Sequence, residues 1–275
     1  MRKKIKLKLQ ALFGRLIKKI LGKYVFALVT KTSNGLFAVD PEDYGVGKHL
    51  RQEGNYGEDE LLRLRPLINP NSSVLVVGSH IGSLVIPLAK VCKKIVAIEA
   101  NPANYELLEL NLSLNKVMNC RAYNLAANDQ KGILELLASR SNSGGSKRVP
   151  QKKDYAYYYD NPETIKVPAV RLDDQLAEKQ FDLIVMDIEG SEYFALKGMP
   201  EILKQSKVLV VEFLPHHLKK VSGVKVDQFL SLIEPYFSRL IVPSRGLKVA
   251  GKEIGTVLQE MYDRDLEDNG IIFER

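Results

Sequence analysis

From residue 73 onward, short apolar runs alternate with stretches that carry apolar residues at helical spacing. The apolar runs predict buried strands, and the stretches between them predict helices. Such alternation is typical of a parallel sheet with helices on both faces. The predicted strands are 73–77, 94–98, 119–125, 165–171, 181–186, 207–213, 237–242 and 271–273, and the predicted helices are 82–92, 102–115, 191–204 and 226–235, with a further helix begun by Asp173.

The pattern differs upstream of this alternation. Two apolar runs, at 24–29 and 36–39, flank the dipeptide Asn34-Gly35, which favours a hairpin turn. Before them, residues 1–23 carry apolar side chains at helical spacing with Lys and Arg between them, which predicts a basic amphipathic helix. We therefore expect three parts, namely the helix 1–23, a hairpin extension 24–54 and a large α/β domain 55–275.

The positive charge of the chain is concentrated in the predicted N-terminal helix. The whole chain has a net charge of +7, and residues 1–23 hold nine Lys or Arg and no acid, which leaves the remainder slightly acidic. An acidic body argues against a nucleic-acid partner. For the helix we expect packing against the α/β domain or a second copy, with reversible docking on an anionic membrane surface as the alternative.

The sequence also indicates where in the cell the protein is expected. Arg15, Lys18 and Lys19 interrupt the apolar stretch that a signal peptide needs. No run reaches the roughly 18 apolar residues of a membrane-spanning helix. Cys92 and Cys120 are too few for a disulfide framework and lack metal-ligand spacing. We therefore expect a cytoplasmic protein with reduced thiols, at the inner membrane face if its helix docks there.

The first strand of the alternation ends in a turn that contains two glycines. Gly78 and Gly82 flank Ser79 and His80, and Glu99 ends the next strand 21 residues after Gly78. In a nucleotide-binding unit such a turn lets the main chain approach the ligand, and an acid about 20 residues onward binds the ribose hydroxyls. A dinucleotide site has a glycine where this chain has His80. We therefore expect S-adenosylmethionine, which has a ribose but no phosphate.

Polar residues follow other strand ends too. Asn101 begins the next helix, and its backbone would border the adenosine. Asn128 and Asp129 follow the third strand, where an adenine edge is often bound, with helix or turn capping as the alternative. Asp187 and Glu189 follow the apolar run FDLIVM. Because Asp187 ends an interior strand, we expect it to face the ligand cleft and either bind the cofactor's ammonium or orient the acceptor.

Six segments resemble the FkbM-type family of S-adenosylmethionine-dependent methyltransferases: VLVVGSHIG, IVAIEANPANYELLELNLSLN, SNSGGS, VPAVRLDD, FDLIVMDIEGSEYFALKGMPEILKQSKVLVVEF and EDNGIIFE. The likeness runs from about residue 55 to 275, and the D-x-E-G-x-E segment at 187–192 is its most specific part. It implies the class I methyltransferase fold, a Rossmann-like α/β fold with a seven-stranded, mostly parallel sheet, an antiparallel last strand and helices on both faces. It also implies O-methylation of a hydroxyl on a sugar, polysaccharide or natural product.

The chain departs from the family pattern at the first motif. The family usually carries an acid two residues before the glycine, where this chain has Val76, and then Gly-Ala-Asn, where this chain has Gly-Ser-His. We expect either weaker cofactor binding or a new contact from His80. The alternative function is a cofactor-binding or scaffold protein with weak or no catalysis, which docks through its basic N-terminal helix.

A methyltransferase that acts on an alcohol needs a base to accept the hydroxyl proton. His216 and His217 come shortly after the strand that ends near Glu212, and we predict that one of them is this base. Asp187 and Glu189 are the alternative bases. We expect no metal, the alternative being a divalent cation bound by Asp187, Glu189 and Glu212.

Residues 139–163 interrupt the regular alternation with Ser, Gly, Lys and a cluster of tyrosines. Long loops in compact domains often serve as lids or binding elements. We expect this loop to shape the acceptor site, and its tyrosines could stack on a sugar ring. The expected acceptor is a small molecule or a glycan.

Overall fold

The computed structural model describes residues 2–275, with residues 2 and 3 described as helix backbone only. The strands are β1 (Leu28–Lys31), β2 (Leu36–Val39), β3 (Ser73–Val77), β4 (Lys94–Glu99), β5 (Cys120–Asn124), β6 (Ala126–Ala127), β7 (Gly132–Ala138), β8 (Lys147–Arg148), β9 (Glu163–Val170), β10 (Leu183–Met186), β11 (Val208–Phe213), β12 (Arg239–Val242), β13 (Leu247–Ala250) and β14 (Asp268–Glu274). The α-helices are α1 (Arg2–Leu21), α2 (Val46–Gln52), α3 (Glu58–Leu64), α4 (Val85–Ala89), α5 (Pro102–Leu114), α6 (Tyr155–Tyr158), α7 (Leu172–Gln175), α8 (Glu192–Lys197), α9 (Pro200–Gln205), α10 (Pro215–His217), α11 (Val226–Leu230) and α12 (Glu253–Asp263).

The main sheet has the strand order β13-β12-β14-β11-β10-β3-β4-β5. Strands β11, β10, β3, β4 and β5 pair in parallel. The last strand, β14, lies antiparallel between β11 and β12. This is the class I methyltransferase arrangement, and the fold prediction is confirmed. One further edge strand, β13, extends it beyond β12.

The central strands are apolar because helices cover both faces of the sheet. One face of the sheet packs with Phe181, Phe213 and α12, and the other packs with α4, α5 and the N-terminal segments. Every residue of β3 and β10 is buried. The polar residues that follow these strands therefore emerge from the core at one edge of the sheet, as expected for the carboxyl ends of parallel strands.

A second, four-stranded sheet has the order β6-β9-β7-β8. The predicted strand 165–171 does form, as β9, but its long antiparallel partner is β7 in this small sheet and not a strand of the main sheet. A buried patch that includes Leu136 and Val167 holds the small sheet together. The loop 139–163 begins at the end of β7 and leads back into β9, so the small sheet positions this loop beside the main sheet.

The N-terminal hairpin is docked on the α/β body. Strands β1 and β2 pair antiparallel around Asn34-Gly35. The side chain of Asn111 on α5 accepts a hydrogen bond from the Ala38 N–H and donates one to the Ala38 carbonyl oxygen, and Asn115 bonds Leu36 in the same way. The two asparagine side chains thus pair with the backbone of β2 much as a neighbouring strand would. The hairpin therefore shares its core with the main sheet.

Four helix predictions differ from the structure. The helices predicted at 82–92 and 226–235 are the shorter α4 and α11. The predicted helix 191–204 is two helices, α8 and α9, because Gly198 and Pro200 interrupt it. The helix begun by Asp173 is the short α7, and the Asp173 carboxylate instead accepts hydrogen bonds from the Glu201 and Ile202 N–H groups at the start of α9. No helix among the described residues is long and apolar enough to cross a membrane.

Candidate active site

The turn after β3 brings the ends of two neighbouring strands close together. Gly78 has a φ of +91°, and a Cβ at this position would lie 1.7 Å from the carbonyl oxygen of Asp187. The N–H groups of Gly78 and Ser79 donate to the Ile98 carbonyl oxygen at the end of β4. Only glycine fits here, because any side chain would push the turn away from Asp187.

Glu99 fixes the same turn from the end of β4. Its two carboxylate oxygens accept hydrogen bonds from the N–H groups of His80 and Asn101, both at 2.8 Å. Burial raises the pKa of Glu99 to about 7, although these hydrogen bonds oppose that rise. A carboxylate oxygen has more than one lone pair, so Glu99 keeps acceptor capacity for hydroxyl groups. Asn101 caps α5 through its side-chain oxygen.

A cleft runs along this edge of the sheet in two compartments that share Gly78, His80, Asp187 and Glu189 as a wall. The first compartment lies between Glu99 and an apolar wall, lined by Ala100, Leu125, Ala126, Ala127, Leu134 and Leu136. The second is more polar, lined by Tyr56, Glu60, Ser79, Ser83 and Asn142. The cleft therefore offers one apolar pocket with an acid at its rim and one polar pocket.

The residues of the loop 139–163 close over the cleft. Ser143 donates to Asp43 and lies 2.6 Å from Nε2 of His80, and Asn104 donates to the Ser143 carbonyl oxygen. The Lys147 ammonium lies 2.6 Å from a carboxylate oxygen of Glu189. The loop is thus tied to the turn after β3 and to the turn after β10, which supports its prediction as a binding element.

Acidic side chains cluster after β10. Glu192 accepts hydrogen bonds from the Ile188 and Gly190 N–H groups, so it holds the turn and does not face the cleft. That turn has Glu189 at φ +56°. The Asp187 carboxylate is accessible through the cleft and accepts no hydrogen bond from any residue that the structure describes. Asp187 is exposed to the cleft, and desolvation by the surrounding protein, followed by the charge of Glu189, raises its pKa well above its usual value.

His217 lies behind Glu189, on the side away from the cleft. Its Nε2 is 3.4 Å from Glu189 and its Nδ1 is 3.6 Å from Glu212. Burial, and then the charge of Lys147, lower the pKa of His217, so its imidazole is neutral at pH 7. Burial, and then the charge of Asp187, raise the pKa of Glu212 well above its usual value.

Comparison with known proteins identifies the family. A family model described as the methyltransferase FkbM domain matches residues 77–241, which is more than half of the chain. The chain belongs to the FkbM methyltransferase family. The matched part of the chain is therefore a methyltransferase domain, and S-adenosylmethionine is the cofactor of such a domain.

This FkbM methyltransferase is similar to two curated methyltransferases over part of their length. Methyltransferase sdnD of Sordaria araneosa is 27% identical over 159 residues, which are 48% of this chain and 61% of the relative. The probable ribosomal RNA small subunit methyltransferase A of Methanosphaera stadtmanae is 36% identical over 82 residues, which are 28% and 30% of the two chains. The matches therefore span less than two thirds of each relative.

Solved structures of other proteins also resemble this chain. M. jannaschii TYW2 in complex with AdoMet has a TM-score of 0.45 and 17% identity, over 91% of this chain and 87% of that one. An rRNA methylase from Streptococcus thermophilus has a TM-score of 0.45 and 12% identity, over 79% and 94%.

The residues of the first turn fit an S-adenosylmethionine site. Oγ of Ser79 and Nδ1 of His80 are buried without a hydrogen-bond partner in the described part of the chain. Buried polar atoms are almost always paired, so these atoms are available to a ligand. Gly82 has a φ of +91°, and its lack of a side chain lets the turn pack closely on Leu108 of α5. Val76, which replaces the family's usual acid, is buried in the core.

The predicted site residues that do not line either compartment of the cleft are Gly82, Asn101, Asn128, Asp129, His216 and His217. Asn128 accepts a hydrogen bond from Arg148, and Asp129 pairs with Lys197 at 3.1 Å. His216 lies 3.1 Å from Glu267 and lines a separate cavity with Tyr157. The apolar wall at 125–127 lies where sequence reasoning placed the adenine contacts of Asn128 and Asp129. An apolar run at the end of β5 was the available signal for that wall.

The predicted cation alternative has a different set of ligands in the structure. Glu189, Glu212 and His217 offer atoms within 4.8 Å of one another, whereas Asp187 is outside this group. Lys147, at 2.6 Å from Glu189, already supplies a positive charge there. The charge of this carboxylate is therefore balanced by the chain's own residues.

Proposed function

We propose that this methyltransferase methylates a hydroxyl group of a sugar, a polysaccharide or a natural product. The observation that carries the proposal is Glu189, a carboxylate on the cleft wall that is held in place by Lys147 and backed by His217. An alcohol is a weak nucleophile until its proton is removed. A carboxylate oriented by two partners at the wall of the ligand cleft suits that task.

In this proposal the proton of the acceptor hydroxyl passes to Glu189 as the oxygen attacks. S-Adenosylmethionine, when bound, supplies a methyl group on a positively charged sulfur. The sulfur is the leaving group, and it needs no proton to leave. The remaining tasks of the chain are alignment, which accounts for much of the rate in such displacements, and proton removal. His217, neutral and 3.4 Å behind Glu189, orients the carboxylate.

Asp187 has a different role in the proposal. Its carboxylate faces the cleft, lacks a hydrogen-bond partner among the described residues and is crowded by other acids. A positively charged ligand group would relieve that repulsion. We assign Asp187 to the ammonium of the cofactor and Glu99 to its ribose hydroxyls, since Glu99 lies at the rim of the apolar compartment.

The acceptor side supports a small hydroxylated molecule more than a nucleic acid. Outside residues 1–23 the chain is slightly acidic, and the cleft wall carries several carboxylates. The loop that closes the cleft also bears the aromatic cluster 155–159, of which Tyr155 and Tyr157 line the separate cavity with His216. Aromatic rings stack on sugar faces as well as on bases. We therefore propose a glycan or natural-product acceptor.

Two variants separate the proposed roles of the carboxylates. Glu189→Gln should lower kcat by about 100-fold to 10,000-fold and leave the Kd for S-adenosylmethionine unchanged in calorimetry. Asp187→Asn should raise that Kd. Glu201→Gln, at an exposed position on α9, is the matched control. Turnover would be measured as S-adenosylhomocysteine released with a panel of methyl glycosides, polysaccharides and macrolides. Methyl transfer confined to amines or to RNA would refute the proposal.

A cation-assisted reaction is the second candidate, because Glu189, Glu212 and His217 lie close enough to share an ion. Lys147 already forms an ion pair with Glu189, which argues that the cation is unnecessary. We expect activity to survive dialysis against EDTA. Loss of turnover that Mg²⁺ or Mn²⁺ restores would instead assign the acceptor hydroxyl to a metal.

A further inference from the structure

Helix α1 is held to the body of the protein along one face. Ala11 is buried, and Gly14 packs so closely that a Cβ would lie 2.3 Å from the Glu42 carbonyl oxygen. Lys18 pairs with Asp40 at 3.1 Å. Gln10 and Arg15 donate to backbone carbonyl oxygens in the loop 139–163, at Ser141 and Asp160. The prediction that the helix packs on the α/β domain thus describes this one face.

The opposite face of α1 is apolar and exposed. At about 3.6 residues per turn, positions 5, 9, 12, 13, 16 and 20 share one stripe, and the half-buried positions 7 and 18 and the buried positions 11 and 14 lie across the helix from it. Leu12 is 60% exposed and Ile20 is 74% exposed. The complete stripe is Ile5, Leu9, Leu12, Phe13, Leu16 and Ile20. At one edge of the stripe Phe13 stacks on Tyr44 of the body, and the other side chains stay exposed. A soluble protein rarely leaves such a continuous apolar surface without a partner.

Basic side chains flank this stripe. Lys8, Arg15 and Lys19 lie along one edge of it and Lys6 lies along the other, and all four are exposed. Residues 1–23 contain no acid that could pair with them. Two copies that met through this face would bring like charges together, which opposes pairing with a second copy. Anionic lipid headgroups over an apolar interior match both the stripe and its flanks.

We propose that α1 is a docking helix for anionic membrane surfaces, which binds with the stripe in the acyl boundary and its lysines at the headgroups. The helix stays attached to the protein through Ala11, Gly14 and Lys18, so docking needs no unfolding of the body. Because Gln10 and Arg15 hold the loop 139–163, the docked protein would present the loop side of its cleft near the bilayer. The proposal does not depend on the nature of the acceptor.

Flotation of the full chain with lipid vesicles tests this proposal. We expect binding to vesicles of 70% phosphatidylcholine and 30% phosphatidylglycerol, and much weaker binding to pure phosphatidylcholine. Raising the salt should weaken the binding, because it screens the charge attraction. The double variant K8E/K19E should lower the partition coefficient about tenfold or more. K116E/K131E, which reverses two exposed lysines of the body, should have no effect.

A fluorescent reporter locates the inserted face. The chain has no tryptophan, so Leu12→Trp provides a single emitter on the stripe. Its emission should shift to the blue with anionic vesicles, whereas Ile133→Trp, at a position 68% exposed on β7, should not shift. L9S/L16S should reduce binding while M118S, at an exposed position of the body, should not.

Three results would overturn the proposal. The full chain could fail to float with anionic vesicles, or it could bind neutral vesicles equally well. It could also form a dimer that L9S/L16S converts to a monomer, which would assign the stripe to a second copy. The L9S/L16S protein remains a valid test because its thermal unfolding can be compared with that of M118S.

Discussion

Nε2 of His80 lies 2.6 Å from Oγ of Ser143, and Ser143 in turn donates to the buried carboxylate of Asp43. With Asp43 ionised, the serine has no second hydrogen to give, so Nε2 of His80 is the donor and Nδ1 is left as an acceptor. Burial lowers the pKa of His80 to about 4, which keeps the ring neutral. The residue that departs from the family's first motif thus ties the turn after β3 to the loop that closes the cleft.

Removal of the Ser143 hydroxyl should therefore loosen the loop. Ser143→Ala leaves a buried carboxylate and a buried imidazole without this partner, which costs about 1–3 kcal/mol. We expect a lower melting temperature and faster hydrogen exchange across residues 139–148. Ser113→Ala, at an exposed position on α5, is the control. Unchanged exchange in the Ser143→Ala loop would contradict this link.

A methyl group at Gly78 should lower the free energy of unfolding far more than a methyl group at Gly132. Gly78→Ala places a Cβ 1.7 Å from the Asp187 carbonyl oxygen and requires a positive φ, so we expect a loss of about 3 kcal/mol or more in the free energy of unfolding. At Gly132 a Cβ would meet no atom within 4 Å, so Gly132→Ala should be nearly neutral. Denaturant titration compares the two, and equal stability would refute the close approach of the turns.

The affinity for S-adenosylmethionine should fall as the pH is lowered. A carboxyl with a raised pKa loses its charge at a higher pH than usual, and only the ionised Asp187 attracts the cofactor's ammonium. Between about pH 5 and 6.5 that ammonium keeps nearly all of its proton, so the change in Kd over this range reports on the protein. Glu99, with a pKa of about 7, acts in the same direction.

Calorimetry across that pH range checks this dependence. Asp187→Asn should bind more weakly at pH 6.5 and show a shallower pH dependence, and Asp227→Asn, at an exposed position, should behave as the wild type does. A wild-type Kd that improves at low pH would mean that the carboxyls bind the cofactor in their neutral form.

The sequence predicted the main sheet well because its strands are buried on both faces and read as continuous apolar runs, as in β3 and β10. It did not predict which strand pairs with β9, since an alternating pattern identifies a strand but not its partner. Helix α12 was missed, although Ile254, Leu258 and Met261 repeat at helical spacing. That spacing was the signal that could have revealed it.

The candidate site was predicted in part for a similar reason. Gly78, Glu99 and Asp187 follow strands that are neighbours in the sheet, so strand order alone brings them together. Asp43, Ser143 and Lys147 come from segments far away in sequence, and no local pattern marks them as neighbours of His80 or Glu189. The side chains of the adjacent His216 and His217 point in different directions, His216 toward Glu267 and His217 toward Glu189, which the sequence alone does not reveal.

A crystal structure of the complex with S-adenosylhomocysteine tests the central claim most directly. The account predicts the adenosine in the apolar compartment, with a carboxylate oxygen of Glu99 within hydrogen-bond distance of the ribose hydroxyls and Asp187 near the ammonium. A ligand bound elsewhere, or Glu99 without any contact to the ribose, would contradict it.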